Sequence, residues 1–447
     1  MKKSYFFSAL AAGMVMFSAC SSDNDLANGG NGSNDAVQQI VLQVANAGDG
    51  MQTRAGRPLL SSEAKQTIEN VKVIISSQII TLTIENVKVI ICDESNKIVK
   101  VKTYNDWNNA DSKVYGKGGG AHGRETTLTY TGNEKLGNGT YTIYAYGFHN
   151  GTAYKKLDTQ ITNLAEGETL DQNIILECSA VGEEIFAGST AQFTIDDAHK
   201  GFTQTVVLNR QVAGTFGYFE SIPFVAGATK LQLVASNPNK SLVLGNFNSF
   251  DLTGNGTGNG TNVKYVVNGA NPAADKVVYT IDLTKWFKAI KDGNNDGLID
   301  ADADNWNKPT TITGASFKTG SVFGGSFLIP FQKNDNQTFV LQLVNNNGDV
   351  LKSWAVKLPS DDGQLSEYTL SSWNSTTSVF DNTPATKDAA DKYSVVRNHL
   401  YGIGERSLDE PTTPGTDPDK PEPLNKKQEL TLRVNDNWEV IHKMELE

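Results

Sequence analysis

The C-terminal stretch Leu430–Leu446 contains two segments, LTLRV at its start and WEVIHKMEL at its end, in which mainly apolar positions alternate with mainly polar ones. Alternation with a period of two is the pattern of a β-strand that buries one face. The preceding segment, 411–425, is rich in proline, so this tail (residues 426–447) follows an extended linker. A strand needs a partner, and a strand on a linker can pair with another molecule. The apolar residues available for such pairing are Leu430, Leu432, Val434, Trp438, Val440, Met444 and Leu446.

The rest of the chain also shows short strand patterns, separated by turns rich in glycine and asparagine. Asn347–Gly348, for example, lies between two alternating segments, 339–344 and 350–356, and is a favoured hairpin turn. Many short strands without long helices predict an all-β protein built from β-sandwiches. A length of 447 residues favours two domains, which we place at 55–200 and 201–410.

The first 20 residues have the organisation of an export signal. Two lysines precede an apolar run, Tyr5–Phe17, and small residues lead to Cys20. This pattern predicts a lipoprotein signal in which Cys20 carries the lipid; an ordinary signal peptide with an incidental cysteine is the alternative. A polar tether, Ser21–Asn34, follows, and no later segment reaches the ~20 apolar residues of a membrane helix. The protein is therefore expected to be exported and held, at first, by lipid.

An early strand is followed by a loop that a protease can reach. The strand is predicted over Val37–Val44, with one apolar face formed by Ile40, Leu42 and Val44. The next loop contains glycine and two arginines and is accessible to a trypsin-like protease. A proline after the second arginine hinders cleavage there, so Arg54–Ala55 is the expected site. Residues 21–54 thus form a tether and a removable strand.

A nine-residue repeat, TIENVKVII, occurs at Thr67–Ile75 and again at Thr83–Ile91. Both copies have strand patterns, and the second leads into a predicted hairpin with residues 97–101. Two identical strands cannot occupy one position in a sheet. The repeat is either a tolerated local duplication or the source of an additional edge strand.

Charge and motif content argue against nucleic-acid binding and against catalysis. The net charge is -11, without a basic stripe. The sequence has no Gly-x-Ser-x-Gly, Cys-x-x-Cys, His-Glu-x-x-His or phosphate-loop motif, and its five histidines lack ligand spacing. We therefore expect no enzymatic activity. With Cys20 lipidated, Cys92 and Cys178 remain, either paired with each other or as two buried thiols.

One segment, 292–303, has the oxygen spacing of a calcium loop. Oxygen-bearing side chains stand at its positions 1, 3 and 5, glycine at 6 and isoleucine at 8. Position 12 is Ala303, where an acidic residue is expected, and no paired helix is evident. The alternative is an acidic turn after a short helix predicted over 284–290. Calcium is the one candidate cofactor, with ligands Asp292, Asn294, Asp296 and Asp300.

Four elements occur along the chain in a characteristic order. They are the signal ending at Cys20, Arg54 after the first strand, the segment YSVVRNHLY at Tyr393–Tyr401, and the Pro-rich linker with its tail. The segments 136–141 and 208–213 add weaker support. In this order and spacing, the chain resembles the fimbrillin family, the type V pilins of Bacteroidetes.

The resemblance implies two transthyretin-like β-sandwich domains, an extended C-terminal donor-strand tail and no enzyme activity. It also implies an outer-membrane lipoprotein precursor that loses its first strand to an arginine-specific protease. The subunits would then polymerise head to tail by donor-strand exchange into a surface fimbria for adhesion. In an intact precursor the tail is expected to be loosely held or folded on its own domain. The repeat departs from the family pattern. The short segment Tyr401–Gly404 also departs from it, so the family pattern does not determine the path by which the tail leaves its domain.

Two other functions fit the sequence. A fimbrial anchor or accessory lipoprotein would keep its lipid and its first strand. A surface glycan-binding lipoprotein would need exposed aromatic side chains on one sheet face. The tryptophans, however, are dispersed along the chain: Trp107, Trp286, Trp306, Trp354 and Trp373.

Overall fold

The computed structural model of the chain describes residues 38–44, 86–105, 113–114, 124–149, 151–247, 263–307, 318–332, 339–357, 367–386, 394–404, 422–423 and 440–446. Over these ranges the chain is dominated by β-strands, which confirms the predicted all-β class. No helix in the same ranges is long and apolar enough to cross a membrane. Their helical segments are single turns at Gly132–Glu134 (3₁₀), Asp158–Thr162 (π) and Leu283–Trp286 (α1).

The strands before residue 211 are numbered in chain order. They are β1 (Gln38–Val44), β2 (Asn86–Asp93), β3 (Ile98–Asn105), β4 (Lys113–Val114), β5 (Arg124–Tyr130), β6 (Gly139–Phe148), β7 (Tyr154–Lys155), β8 (Ile175–Cys178), β9 (Phe186–Ser189), β10 (Phe193–Ile195) and β11 (Phe202–Arg210). The hairpin predicted after the second repeat copy is confirmed as β2 and β3. The first copy, Thr67–Ile75, lies outside the described residues.

The strands after residue 211 continue the numbering. They are β12 (Ala213–Glu220), β13 (Lys230–Ala235), β14 (Asn239–Val243), β15 (Val263–Val267), β16 (Gly269–Pro272), β17 (Lys276–Asp282), β18 (Val322–Leu328), β19 (Phe339–Val344), β20 (Val350–Lys357), β21 (Glu367–Asn374), β22 (Val379–Thr386), β23 (His399–Ile403), β24 (Glu422–Pro423), β25 (Val440–Lys443) and β26 (Glu445–Leu446).

The largest sheet has nine strands and contains β1 in its interior. Its order is β3-β2-β6-β9-β11-β1-β5-β4, with β10 paired to β6. Apolar side chains from β1, β2, β5, β6 and β11 form one buried core. Since β2 and β5 are far apart in the strand order, the sheet folds over to enclose that core. The first strand predicted from the sequence is therefore an internal strand of this sheet.

Two five-stranded sheets pack face to face in the second half of the chain. One has the order β18-β12-β23-β25 with β24 on β12, and the other β17-β13-β19-β20-β26. The packing requires glycine where large side chains of β17 meet the facing sheet. A Cβ added at Gly324 would lie 2.8 Å from Ile281 Cγ1, and one at Gly217 would collide with the Tyr279 hydroxyl. Smaller sheets, β16-β14-β8-β7 and β15-β21-β22, complete the described structure.

Only two residues, Gln211 and Val212, separate β11 of the nine-stranded sheet from β12 of the next sheet. Gln211 is fully buried, and its side chain donates to the carbonyl of Asn209 at 2.8 Å and accepts from the backbone N–H of Gly245 at 3.1 Å. The chain therefore passes from one sheet to the next through a fixed junction. The domain limits at 200 and 201 stay a prediction.

The two described cysteines, Cys92 on β2 and Cys178 on β8, are separate buried thiols. Of the two states left open by the sequence, the structure thus contains the unpaired one. Burial, with a smaller contribution from the neighbouring Asp93 carboxylate, raises the pKa of Cys92 to about 12. Burial likewise raises the pKa of Cys178 to about 11. Both side chains act as small apolar residues of the core.

Candidate functional site

The site begins with β1, which forms backbone ladders along both of its edges. It runs parallel to β11, from Gln38 opposite Phe202 to Val44 opposite Leu208. It runs antiparallel to β5, with Gln38 opposite Tyr130. A strand bonded on two sides leaves two open edges when it departs. We call the space it occupies, bordered by β11 and β5, the β1 slot.

The inward face of β1 is apolar, as the alternation predicted. Ile40 and Leu42 are both fully buried and pack in the core of the nine-stranded sheet. Burying an aliphatic side chain of this size contributes about 1.5–3 kcal/mol. Loss of β1 would therefore open two apolar pockets as well as two backbone edges.

A polar side chain closes one end of this face. Gln38 is 1% exposed, and its amide Nε2 donates to the carbonyls of Leu136, at 2.9 Å, and Lys200, at 3.0 Å. Its Oε1 accepts from the backbone N–H of Leu136 at 2.6 Å. The sequence prediction began the strand at Val37 and did not single out Gln38. The sequence does contain a signal for its burial, because residues 38, 40 and 42 of a strand lie on the same face as one another.

The end of the tail is folded on its own chain, which is one of the two states expected for an intact precursor. β25 lies parallel to β23, and the backbone N–H of Met444 donates to the carbonyl of Gly402 at 2.8 Å. Leu446, in β26, pairs with Val356 at the edge of β20. Met444 is 2% exposed in the core, and Leu446 packs partly buried against it. The strand on which the tail rests, β23, comprises the last three residues of the segment Tyr393–Tyr401 together with Gly402 and Ile403.

Several predicted functional residues lie outside the described ranges. Among the donor-strand residues, Val440, Met444 and Leu446 are described. The processing residues and the remaining donor residues are not: Cys20, Arg54, Ala55, Leu430, Leu432, Val434 and Trp438.

The last five residues of the segment Tyr393–Tyr401 form an Arg-Asn-His-x-Tyr element, Arg397–Tyr401, which connects β23, the partner strand of the tail, to the junction at Gln211 and Val212. Asn398 donates its backbone N–H to the carbonyl of Val212 at 2.9 Å, and its Oδ1 accepts from Arg210 Nη1 at 2.8 Å. Arg210 also forms a buried ion pair with Glu184, Nε to Oε1 2.7 Å, with both side chains 5% exposed. Arg397 Nη1 donates to the carbonyl of Arg210. We call Glu184, Arg210, Arg397 and Asn398 the junction cluster.

The rest of the element is equally buried. The Tyr401 hydroxyl donates to the carbonyl of Ser394 at 2.9 Å and accepts from the backbone N–H of Val396 at 2.8 Å. His399 is fully buried and meets the ring of Tyr265 edge to face, with centroids 4.6 Å apart. These polar side chains hold β23 in place beside β12. Since β25 lies on the other edge of β23, the element also fixes the edge on which the tail lies. We call that edge of β23 the β25 seat.

The candidate calcium loop uses its carboxylates for backbone hydrogen bonds. Asp292 accepts from the N–H groups of Asp296 and Gly297 at 3.0 and 2.9 Å, and Asp300 accepts from Gly293 at 3.0 Å. Lys291 Nζ lies 3.5 Å from the Asp300 carboxylate. No group of three or more His, Cys, Asp or Glu side chains suited to a metal ion occurs in the described ranges. Both interpretations of this loop, a calcium site and an acidic turn, stay untested, and the backbone hydrogen bonds of its carboxylates favour the turn.

The four described tryptophans do not form a shared platform. Trp306 is buried and donates its indole N–H to the carbonyl of Ser321 at 2.9 Å. Trp286, Trp354 and Trp373 are partly buried and belong to α1, β20 and β21. In the described ranges, the exposed large hydrophobic side chains are aliphatic: Val277, Val350, Leu351 and Val379.

No family model and no curated protein matches the chain. Among solved structures, it is similar to a fimbrial assembly protein from Parabacteroides distasonis, with 11% identity, a TM-score of 0.32, and 80% of this chain and 98% of that one covered. The fimbrial anchor protein Mfa2 from Porphyromonas gingivalis gives 8% identity and a TM-score of 0.34, covering 81% of this chain and 100% of that one. A putative adhesin from Bacteroides thetaiotaomicron gives 10% and 0.34, covering 82% and 100%. All three similarities are distant.

Proposed function

We propose that the chain is a structural subunit of a surface fimbria, exported as a lipoprotein, cleaved at Arg54–Ala55 and polymerised by donor-strand exchange. The observation that carries the proposal is the position of β1. It is bonded on both edges inside a sheet, and the sequence that follows it contains the expected cleavage site. One cut there separates an internal strand from the rest of the chain.

Cleavage changes the competition for the β1 slot. In the uncut chain, covalent attachment keeps β1 at an effective concentration of the order of mM beside its slot. After cleavage, β1 is a separate peptide that does not return efficiently once it has left. The vacant slot presents unpaired backbone groups of β11 and β5 with two apolar pockets, the kind of open edge that recruits another strand.

The tail of a neighbouring subunit is the proposed replacement. Its apolar side chains match an inward face, and each contributes about 1.5–3 kcal/mol when buried. Fixing the backbone costs about 1–2 kcal/mol per residue, so insertion depends on a slot that is already formed. The two walls of the slot, β11 and β5, contribute side chains to one apolar core, which supports that condition. Insertion of one subunit's tail into the next does not close on itself, and it produces a filament.

The proposal is tested by assembly of the cleaved full-length chain, followed by negative-stain electron microscopy. We expect filaments from the wild-type chain after limited cleavage with an arginine-specific protease, and none from Arg54→Ala. Arg57→Ala is the matched control and should assemble, because the proline after Arg57 already hinders cleavage there. Filaments from a cleaved chain truncated at Leu424 would contradict donor-strand exchange.

The mature N-terminus separates this function from that of an anchor or accessory subunit. Mass spectrometry of the surface protein should find Ala55 for a polymerising subunit. A lipidated Cys20 with β1 retained would instead identify an anchor, since the slot would remain filled by the chain's own strand.

A further inference from the structure

We propose that Gln428–Val434 of one subunit enters the β1 slot of the next in the register of β1 itself, with Gln428 in the place of Gln38. This inference rests on the proposed function, because it specifies how the donor strand binds. It makes Gln428 the residue that sets the register of subunit assembly.

The first support is a correspondence between two distant segments of the chain. β1 reads QQIVLQV from Gln38, and the tail reads QELTLRV from Gln428. Positions one, five and seven are identical, and position three has isoleucine in β1 and leucine in the tail. Gln428 is the only glutamine between 424 and 447, so only one register brings an amide of this length to the Gln38 position.

The second support is the environment of Gln38. The slot offers three partners at this end, the carbonyls of Leu136 and Lys200 and the backbone N–H of Leu136, and the amide of Gln38 satisfies all of them. A two-residue shift would place Leu430 against these polar groups and leave the buried carbonyl and N–H of Leu136 without the Gln38-type amide. A one-residue shift would turn every apolar side chain to the wrong face. An unsatisfied buried polar group weakens binding by about 10- to 100-fold, which is enough to select one register.

The third support comes from the far end of the tail. In the proposed register Gln428 lies opposite Phe202, and the same offset continued along the chain places Val440 level with Gly214. In the described structure Val440 pairs with His399, and the next residue of β23, Leu400, pairs with Gly214. The position that the proposed register gives for Val440 and its position in the described structure therefore differ by one residue along the strand direction. A single tail from a neighbour would thus reach both the β1 slot and the seat of β25 on the same acceptor.

Disulfide cross-linking between the full chain, cleaved after Arg54, and a peptide of residues 424–447 tests the register. In β1, Gln39 lies opposite Thr129 and Val41 opposite Thr127, and both threonines are exposed. We expect a peptide with Glu429→Cys to link to Thr129→Cys, and Thr431→Cys to link to Thr127→Cys. Directly opposed residues have the Cα separation that a disulfide needs. The crossed pair, Glu429→Cys with Thr127→Cys, is the register control and should not link.

Peptide affinity gives the second measurement. Gln428→Ala should weaken binding to the cleaved chain by about tenfold or more. Glu429→Ala, at the outward position next to it, should change affinity by less than about threefold. If the wild-type peptide binds but Gln428→Ala binds equally well, or if the crossed pair links, the register proposal is wrong and donor-strand exchange stands. If the wild-type peptide does not bind, both proposals fail.

Discussion

Arg210 and Asn398 lie 188 residues apart in the chain and are joined by a hydrogen bond of 2.8 Å from Nη1 to Oδ1. Arg210 ends β11, the parallel partner of β1, and Asn398 precedes β23, the partner of the tail. The contact therefore links the strand that borders the β1 slot to the strand that holds the tail. Both side chains are buried, so the link is shielded from solvent.

Replacing Glu184 with leucine should destabilise the whole protein, because it leaves the Arg210 guanidinium buried without its carboxylate. Removal of one partner of a buried ion pair typically costs about 3–5 kcal/mol. Urea denaturation followed by fluorescence would measure the change. The control is Glu177→Gln, which affects the exposed pair with Lys155 and should leave the urea midpoint unchanged. Equal midpoints for Glu184→Leu and the wild type would show that the ion pair does not hold the junction.

Gln38→Leu should lower the free energy of unfolding of the uncut chain by about 1–3 kcal/mol, since it removes the amide that pairs with the buried carbonyl and N–H of Leu136. Gln39→Leu is the matched control. Gln39 is only partly buried, and its amide makes one exposed contact with Thr129, at 3.3 Å, so we expect a change within about 0.5 kcal/mol. After cleavage, mass spectrometry should detect faster loss of the N-terminal strand from Gln38→Leu. If the strand were lost at the same rate from Gln38→Leu as from Gln39→Leu, the Gln38 amide would not be the group that holds β1 in its slot.

The two buried thiols should make the free energy of unfolding fall at alkaline pH. Their folded-state pKa values, about 12 for Cys92 and about 11 for Cys178, lie above that of an unfolded thiol. The folded protein then retains protons that the unfolded chain releases, so stability declines as pH rises from about 8.5 towards the folded pKa values. Buried tyrosines such as Tyr279, whose pKa is also raised by burial, change stability in the same direction at higher pH.

The cysteine contribution is isolated by comparing variants. The urea midpoint should drop less between pH 8 and pH 10 in Cys92→Ala and Cys178→Ala than in the wild type. In addition, both thiols should resist alkylation at pH 8 in the folded protein and react in urea, because only the thiolate is nucleophilic. Rapid alkylation of the folded protein would contradict the burial of these side chains.

The sequence predicts the strands better than it predicts the contacts between them. Local alternation and the Asn347–Gly348 turn were sufficient for the hairpin of β19 and β20, in which β19 buries Phe339, Leu341 and Leu343. The short helix predicted over 284–290 is wrong: α1 is a single turn, Leu283–Trp286. Phe287 is extended and pairs with Trp306, so a tertiary contact ends the helix after one turn. No local pattern contains that pairing.

The burial of the polar residues of the site could not be predicted from the sequence, for a related reason. In sequence, Arg210, Arg397 and Asn398 are polar residues that exposure would explain equally well. Their burial depends on partners that lie 26 to 188 residues away, such as Glu184 and Arg210 itself. Alternation in a strand is a local property, whereas satisfaction of a buried charge is a property of the folded chain. The first kind of feature can be predicted from one sequence, and the second requires the structure.

The acidic loop at 292–300 should behave as a turn held by its own carboxylates. We expect calorimetric titration with calcium to give no saturable heat up to about 1 mM, the weak end of protein calcium sites. Asp292→Ala should lower the unfolding midpoint equally in calcium and in EDTA, because it removes the carboxylate that accepts hydrogen bonds from two backbone N–H groups. Asp381→Ala, outside the loop, is the control. A saturable heat that Asp292→Ala abolishes would instead establish a calcium site.

Met444→Ala should release the tail without unfolding the rest of the protein. Met444 is the buried anchor of a segment that otherwise rests on the short strands β25 and β26. Truncation of a buried methionine costs about 2–5 kcal/mol, and a peripheral segment this short opens locally before the cores do. Hydrogen exchange should therefore accelerate at Val440–Leu446 and stay unchanged at β12. Leu446→Ala, at a partly buried position, should have a smaller effect.

The same substitution should have opposite effects on the speed and the strength of assembly. The tail must leave β23 before it can act as a donor, so Met444→Ala should shorten the lag before filaments form from the cleaved chain. If the donor tail also occupies the β25 seat of its acceptor, the loss of the same side chain should make the finished filaments dissociate at a lower urea concentration. Faster assembly with unchanged filament stability would confine the donor to the β1 slot, and unchanged assembly would show that release of the tail does not limit polymerisation.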